Sequence, residues 1–317
     1  MYVKFWGTRG SIPTPISSLA LKEKIRWALE NAAGLDLSDP AVLNRYLERL
    51  PFTVQKSVGG DTACVEVRSG DQLLIIDAGS GLRLLGQTMM SNGFAQGGQQ
   101  ASMLFTHTHW DHIQGFPFFG PVFIPNNHFR LYSPFDDLRD RLTHQQDTVF
   151  FPVTLSYMQA TLDFVEIAEA QWHQIGKFRV YPMRLSHPGV TFGYRIEDGE
   201  SSLVIASDSE YKRVDPAHTA AYVEFFQNAD LLIFDAQYSL TEVLDKPDWG
   251  HSTAMMGAEL AYRARAKRLA LFHHDPNSSD VEVWAAKEQA AAYLLHPHKK
   301  DHTCEVLIAY DGLSLEL

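Results

Sequence analysis

The sequence predicts a mixed α and β domain over residues 1–317, with its chemistry gathered at one edge of the strands. Three observations carry that reading. Apolar strand-like runs alternate with helical segments from Lys177 onward. Five apolar runs deliver a histidine or aspartate at their C-terminal tips: His107 after Met103 to Thr106, His187 after Arg184-Leu185-Ser186, Asp208 after Val204 to Ser207, Asp235 after Leu232-Ile233-Phe234, and His273 after Leu269 to Phe272. One of these tips is unusually dense, since His107-Thr108-His109-Trp110-Asp111-His112 holds three imidazoles and a carboxylate in six residues. Polar residues often end strands, so one such tip would mean little. Five point to a shared site, because sheet ligands collect at the carboxyl ends of strands.

Taken in order, strands are expected at Tyr2 to Trp6, Ala63 to Val67 and Gln72 to Ile76. Between the first two lies a helical insert, about 17–51. Leu21, Ile25, Ala28, Leu29 and Ala32 recur at helical spacing. Asp39-Pro40 reads as an N-cap followed by proline at the first helical position, with Leu43, Leu47 and Leu50 continuing a stripe. A surface insertion is expected, used as a cover over the site or as a subunit contact. Gly93 to Gln100 is a Gly/Gln-rich loop before the strand Ala101 to Thr106. Residues 123–175 carry no clear period beyond a short helix within Pro134 to His144, and are assigned as a substrate-covering region. Further strands follow at 178–185, 190–196, 202–207, 230–234, 267–272 and 304–310, with helices near 216–228, 252–266 and 280–295. Val281, Trp284, Ala285, Ala292 and Leu295 would form the apolar face of the last helix.

An apolar content of 45% permits a sizeable core, and the formal charge of −11 argues against a dedicated binder of long nucleic acid, which needs a basic stripe. Two cysteines, Cys64 and Cys304, exclude a disulfide framework or a Cys-rich zinc site and read as buried thiols. No run approaches transmembrane length, and Met-Tyr-Val-Lys-Phe-Trp reads as a strand, not a signal peptide. No membrane partner and a reducing cytoplasm are the expectations.

On a strand, His107 and His109 point the same way, and the following turn brings Asp111 and His112 to a second point nearby. That spacing offers two ligands to one ion and two to a neighbour. Imidazole and carboxylate suit zinc first, with manganese or iron as alternatives. A His-rich surface loop or a single structural zinc are the plainer readings.

Together these residues resemble the metallo-β-lactamase-fold superfamily, in its phosphodiesterase branch, similar to ribonuclease Z and phosphoribosyl cyclic phosphodiesterase. The resemblance runs from Lys4-Phe5-Trp6-Gly7-Thr8-Arg9-Gly10-Ser11 to Tyr310-Asp311-Gly312, excepting the insert and residues 123–175. It implies an α+β fold, a four-layer αββα sandwich with two divalent metal ions at one sheet edge. Carried over, it implies that His107, His109 and His187 hold one ion, that Asp111, His112 and His273 hold the other, and that Asp208 bridges them. His251, in Gly250-His251-Ser252-Thr253, resembles a histidine that contacts phosphate and assists departure of the leaving group. Asp235 falls where the family has a glutamate orienting that histidine, and is shorter. The implied catalytic set is His251, Asp235 and Asp111. Asp77, in Ile75-Ile76-Asp77-Ala78-Gly79, resembles an aspartate placed behind the ligands.

His273 competes with His274 for the ligand position and is preferred because it follows the strand directly. Arg9 and Asp61 read equally as site lining or turn chemistry. His128, His144, His173, His218, His296, His298 and His302 show no convergent pattern, although His144 or His173 are within reach of a substrate if the 123–175 region folds over the site.

The expected function is dinuclear metal-dependent hydrolysis of a small phosphodiester, a cyclic nucleotide or cyclic ribose phosphate, by a hydroxide shared between the ions. Alternatives are tRNA 3′-processing endonuclease action, lactone or ester hydrolysis on the same ions, and a nucleotide sensor without turnover. A homodimer is a further expectation, since relatives of this kind are often dimers.

Overall fold

The computed structural model describes residues 1–213, 215–299 and 301–317. The first strands are β1 (Tyr2–Gly7), β2 (Cys64–Ser69), β3 (Gln72–Ile76), β4 (Gln100–Leu104), β5 (His128–Ser133) and β6 (Thr161–Glu166). They continue with β7 (His173–Ile175), β8 (Phe178–Leu185), β9 (Thr191–Asp198), β10 (Ser201–Ala206), β11 (Leu231–Asp235), β12 (Arg268–Phe272), β13 (Glu305–Ile308) and β14 (Ser314–Glu316). Among the described residues they form two seven-stranded sheets, ordered β14-β1-β2-β3-β4-β5-β6 and β13-β12-β11-β10-β9-β8-β7. Both are mixed: β3 to β6 and β10 to β13 run parallel, and the rest pair antiparallel.

The second sheet shows why its strands read as unbroken apolar runs. Leu203, Ile205, Leu231, Ile233, Ala270 and Phe272 face the core between the sheets. Their neighbours Val204, Ala206, Leu232, Phe234, Leu269 and Leu271 face helices on the outer side. A parallel strand covered on both faces has no polar position to alternate with. Phe5 of β1 meets Phe272 of β12 across the sheets at 6.0 Å between centroids, and Tyr194 of β9 donates its hydroxyl to the Phe105 carbonyl at 2.5 Å. Each such buried ring contributes about 2–3 kcal/mol of burial.

The helices are α1 (Ser18–Glu30), α2 (Pro40–Arg49), α3 (Phe52–Gln55), α4 (Leu82–Ser91), α5 (Trp110–Ile113), α6 (Leu138–Gln145), α7 (Pro216–Phe226), α8 (Leu240–Asp245), α9 (Ala254–Arg263) and α10 (Asp280–Leu294). Helix α4 packs Leu82, Leu85 and Met89 on the first sheet, while α7, α9 and α10 cover the second, so the layers run helix, sheet, sheet, helix. Cys64 and Cys304 are free and buried.

Three local readings need correction. In α10 the buried positions are Val283, Ala290 and Leu294, whereas Val281 and Leu295 are exposed. Alanine occupies several sides of this helix, so the apolar stripe was placed on the wrong face. In α1 the stripe Leu21, Ile25 and Leu29 is exposed, and only Ala32 beyond it is buried. That helix docks through polar ties instead: Lys24 donates to the Thr53 and Lys56 carbonyls and to Asp280 at 2.6 Å. Residues 123–175 are more regular than expected, since they contribute β5 and β6 to the first sheet as well as α6.

Candidate metal centre

Three strand ends turn sharply at the sheet edge. Asp77 after β3, Asp208 after β10 and His273 after β12 all adopt left-handed backbone, with φ of 60°, 55° and 59°. Such a conformation costs roughly 1–3 kcal/mol for a residue with a Cβ, and persists where the surroundings over-determine it. Here the turn swings the side chain back over the edge of the sheets.

The convergent groups fall into two clusters. Donor atoms of His107, His109 and His187 lie within 4.8 Å of one another, and so do those of Asp111, His112, Asp208 and His273. Asp208 stands between them. Its carboxylate is 3.2 Å from His112 Nε2 and 3.3 Å from His273 Nε2 on one side, and 3.9 Å from His107 Nε2 and 4.0 Å from His187 Nε2 on the other. All seven predicted ligand positions therefore meet at one place.

A ring of hydrogen bonds aims them. Asp77 accepts from His112 Nδ1 at 2.8 Å and from the Thr106 backbone and hydroxyl, which leaves His112 Nε2 facing inward. The Gly250 carbonyl accepts from His187 Nδ1 at 2.8 Å. Gly250 has φ +83°, and a Cβ there would sit 2.2 Å from that ring nitrogen, so only glycine fits. Gly10 is equally tight, with the His273 ring 2.5 Å from its notional Cβ. Gln237 Oε1 accepts from His273 Nδ1 at 2.8 Å, and its amide donates to the Ser11 hydroxyl at 3.3 Å. The Ser11 backbone N–H donates to Asp111 Oδ2 at 2.7 Å. Gln237 and Ser11 were not singled out in the sequence, because neither is a ligand-type residue. The signal available was position: Gln237 lies two residues past the tip of β11.

His251 lies beside this centre. Its Nδ1 donates to Asp235 at 2.8 Å, and its ring stacks at 5.1 Å on His273. Asp235 is fully buried and also accepts backbone N–H groups from Asp208, Gln237 and Ser252. The short aspartate reaches His251 because Ser252 is tied to the same carboxylate.

Residues fit for a metal leave a mark here even without one. His107 Nε2 is buried with no hydrogen-bond partner. His109 Nδ1 and His187 Nε2 approach to 3.1 Å, and His112 Nε2 and His273 Nε2 to 3.3 Å. Ring nitrogens come this close only where a proton or a metal cation is shared between them. Burial pushes His107, His109 and His187 below the ordinary imidazole range, which keeps them neutral as ligands must be. Burial opposes charge on His112 and His273 as well, yet Asp208 and Asp111 prevail, raising His112 well above its usual value and His273 to about 9. Four buried carboxylates, Asp77, Asp111, Asp208 and Asp235, draw cationic charge into this pocket. The donor set fits two divalent cations.

The remaining candidates lie elsewhere. His274 donates to the Ala309 carbonyl at 2.8 Å and faces away from the cluster. Arg9 is a buried clamp on the Gly59, Asp275 and Ser278 carbonyls. Asp61 accepts from the Ser80 hydroxyl. His128 pairs with Asp163, His173 with the Ala168 carbonyl, and His144 packs against Phe150.

His109, Asp111, His187, Asp208, His251 and His273 line a cleft of about 540 Å³, walled also by Trp110, Pro188, Asp248 and Trp249. A second cavity of about 560 Å³, between the insert and α10, contains none of them.

The family described as the β-lactamase superfamily domain matches residues 73–274, which includes every converging group but Ser11. The chain belongs to that superfamily. Ribonuclease Z of Exiguobacterium sibiricum is 22% identical over 247 residues, 63% of this chain and 80% of the relative. The probable metallo-hydrolase YhfI of Bacillus subtilis is 24% identical over 206 residues, 65% of this chain and 77% of the relative. The YhfI crystal structure superposes with a TM-score of 0.65 at 19% identity, covering 100% of this chain and 98% of that one. A diphosphatase from the PhnP family superposes at 0.58 and 18% identity, covering 100% and 97%. The chain is a metal-dependent hydrolase with the metallo-β-lactamase fold. Among the described residues no helix is long and apolar enough to cross a membrane.

Proposed function

We propose that this chain is a dinuclear metal-dependent phosphodiesterase acting on a small phosphodiester, with a cyclic nucleotide or cyclic ribose phosphate ahead of RNA. The observation that carries the reading is the His251–Asp235 pair, set against two donor clusters with Asp208 standing between them. His107, His109 and His187 would hold one cation, and Asp111, His112 and His273 the other, with Asp208 common to both; zinc suits the set best, and manganese or iron also fit. When bound, such a pair supplies Lewis acidity toward phosphoryl oxygens and a water of lowered pKa.

The chain's own residues do the rest. Asp235 holds Nδ1 of His251, so Nε2 is the free nitrogen on the cleft side. With Nδ1 held by Asp235, a proton carried on Nε2 would pass to the departing oxygen, and the ring is left paired as before. General acid help of this kind is worth about 10²–10⁴ in rate. Asp77, Gln237 and the Gly250 carbonyl hold the histidines in single tautomers.

Ester or lactone hydrolysis needs less help at the leaving group, so the paired His251 favours phosphorus. The net charge of −11 disfavours a grip on long RNA, although relatives named ribonuclease Z keep an RNA substrate as the second reading. The test is turnover of a chromogenic phosphodiester, a panel of cyclic phosphates, a precursor transfer RNA and a lactone panel by the zinc- or manganese-loaded protein. Cyclic phosphates should lead. A lactone turned over faster than any diester would sink the reading, and tight nucleotide binding without product would make the protein a sensor.

A further inference from the structure

Trp110 and Trp249 are 62% and 61% exposed, the two most exposed of the six tryptophans, and both line the cleft that holds the convergent groups. Tryptophan is a costly residue to leave in water, and an exposed indole with no packing role marks a contact surface. Neither indole stacks on another ring among the described residues; the neighbour recorded for Trp249 is the Lys246 ammonium, 6.0 Å from its centroid.

Both are nonetheless held at the backbone by the site itself. Trp110 lies between His109 and Asp111, and its carbonyl accepts from the Gln114 N–H at 2.8 Å as α5 begins. Trp249 precedes Gly250, whose carbonyl holds His187, and Gly250 packs its α-carbon against that imidazole. Two flat apolar faces are thus fixed at the mouth of the cleft, one from each sheet's edge, while their side chains stay open to solvent. Flexible loops decorated with aromatic residues would lack this tie to the reacting centre.

We propose that Trp110 and Trp249 are specificity-determining residues that stack on a planar base attached to the scissile phosphodiester, so that the enzyme selects a nucleoside cyclic phosphate over the same ring phosphate without a base. The inference rests on the phosphodiesterase reading and narrows its substrate class. A nucleobase presents a π-face of the right size to an indole, and such stacking is sequence-tolerant, so one base need not be strongly preferred over another.

The test compares adenosine cyclic phosphate with its abasic counterpart, the same sugar ring phosphate carrying hydrogen in place of the base, on the zinc-loaded protein. In W110A and in W249A, kcat/KM for the adenosine substrate should fall about tenfold further than for the abasic one, mainly through KM. W110F and W249F should recover most of the preference, which a role in folding alone would not predict. Equal losses on both substrates, or no loss on the adenosine one, would overturn the proposal. Should the wild type cleave neither diester, the phosphodiesterase reading fails separately. Saturable quenching of tryptophan fluorescence by adenosine monophosphate, abolished in the double alanine variant, would still support stacking, and its absence in the wild type would overturn it.

Discussion

His107, His109 and His187 form a cluster of three imidazoles held neutral by burial, with His109 partly open to the cleft. Asp111, His112, Asp208 and His273 form a fully buried cluster in which two carboxylates pull both histidines toward protonation. The two share an edge of the sheets and differ in electrostatics. The first offers neutral donors and needs an ion to satisfy the orphaned Nε2 of His107. The second carries two carboxylates, whose charge is met by protons on His112 and His273 until a metal ion takes their place. Among the described residues, Asp208 is the carboxylate that lies within 4.0 Å of histidines in both. The difference teaches that one cation would be bound by lone pairs and the other by charge, with Asp208 coupling them.

Removing Asp208 should break the coupling and give the largest effect. Asp208→Ala is expected to lower phosphodiester turnover by roughly 10⁴-fold, since both cations lose their common neighbour. Steady-state kinetics on the metal-loaded variant check this. His251→Ala should cost about 10²–10³ in kcat while leaving metal content unchanged, because its Nδ1 is committed to Asp235 and not to either cluster. Elemental analysis alongside kinetics separates the two variants.

Asp77→Asn sharpens the comparison, because Asp77 bonds His112 directly and reaches His107 only through the Thr106 hydroxyl. Asparagine tolerates the positive φ, so the fold should hold. Metal affinity at the carboxylate-rich cluster should weaken about 10–100-fold, with the three-histidine cluster little changed. Zinc titration by calorimetry reads this, and equal weakening of both would show that the clusters bind as one unit.

The last effect lies outside both clusters and touches stability, not activity. Burial raises the Asp311 carboxyl to about 6 against the backbone N–H groups of Gly60 and Asp61, which pull it down. A raised carboxyl stabilises the fold fully below its ordinary 3.8, and that contribution is lost as pH climbs through about 6. Urea unfolding of the metal-free protein should show up to about 3 kcal/mol lost over that window from this group, a slope that Asp311→Asn removes.

Much of the candidate site was legible because strand periodicity and ligand-type residues coincide. Asp208, Asp235 and His273 each follow an apolar run whose two faces are both covered, and His187 follows the alternating strand β8, so each strand and its tip are read together. The groups that aim them were not legible. Gln237, Thr106 and the Gly250 carbonyl act through hydrogen bonds that leave no periodic trace. The helices of the insert were found from spacing and the Asp39 cap, and the structure adds Ser17 as the cap of α1. Their buried faces were not, because Lys24 and Asp280, side chains usually assigned to the surface, make the contact that holds α1.

The most direct test is a count of zinc bound by metal-free protein at saturation, in the wild type and in Asp208→Ala. Two ions per chain are expected in the wild type, with fewer and weaker ions in the variant. A single ion in the wild type, or two held equally well without Asp208, would contradict a centre built from two clusters joined by one carboxylate.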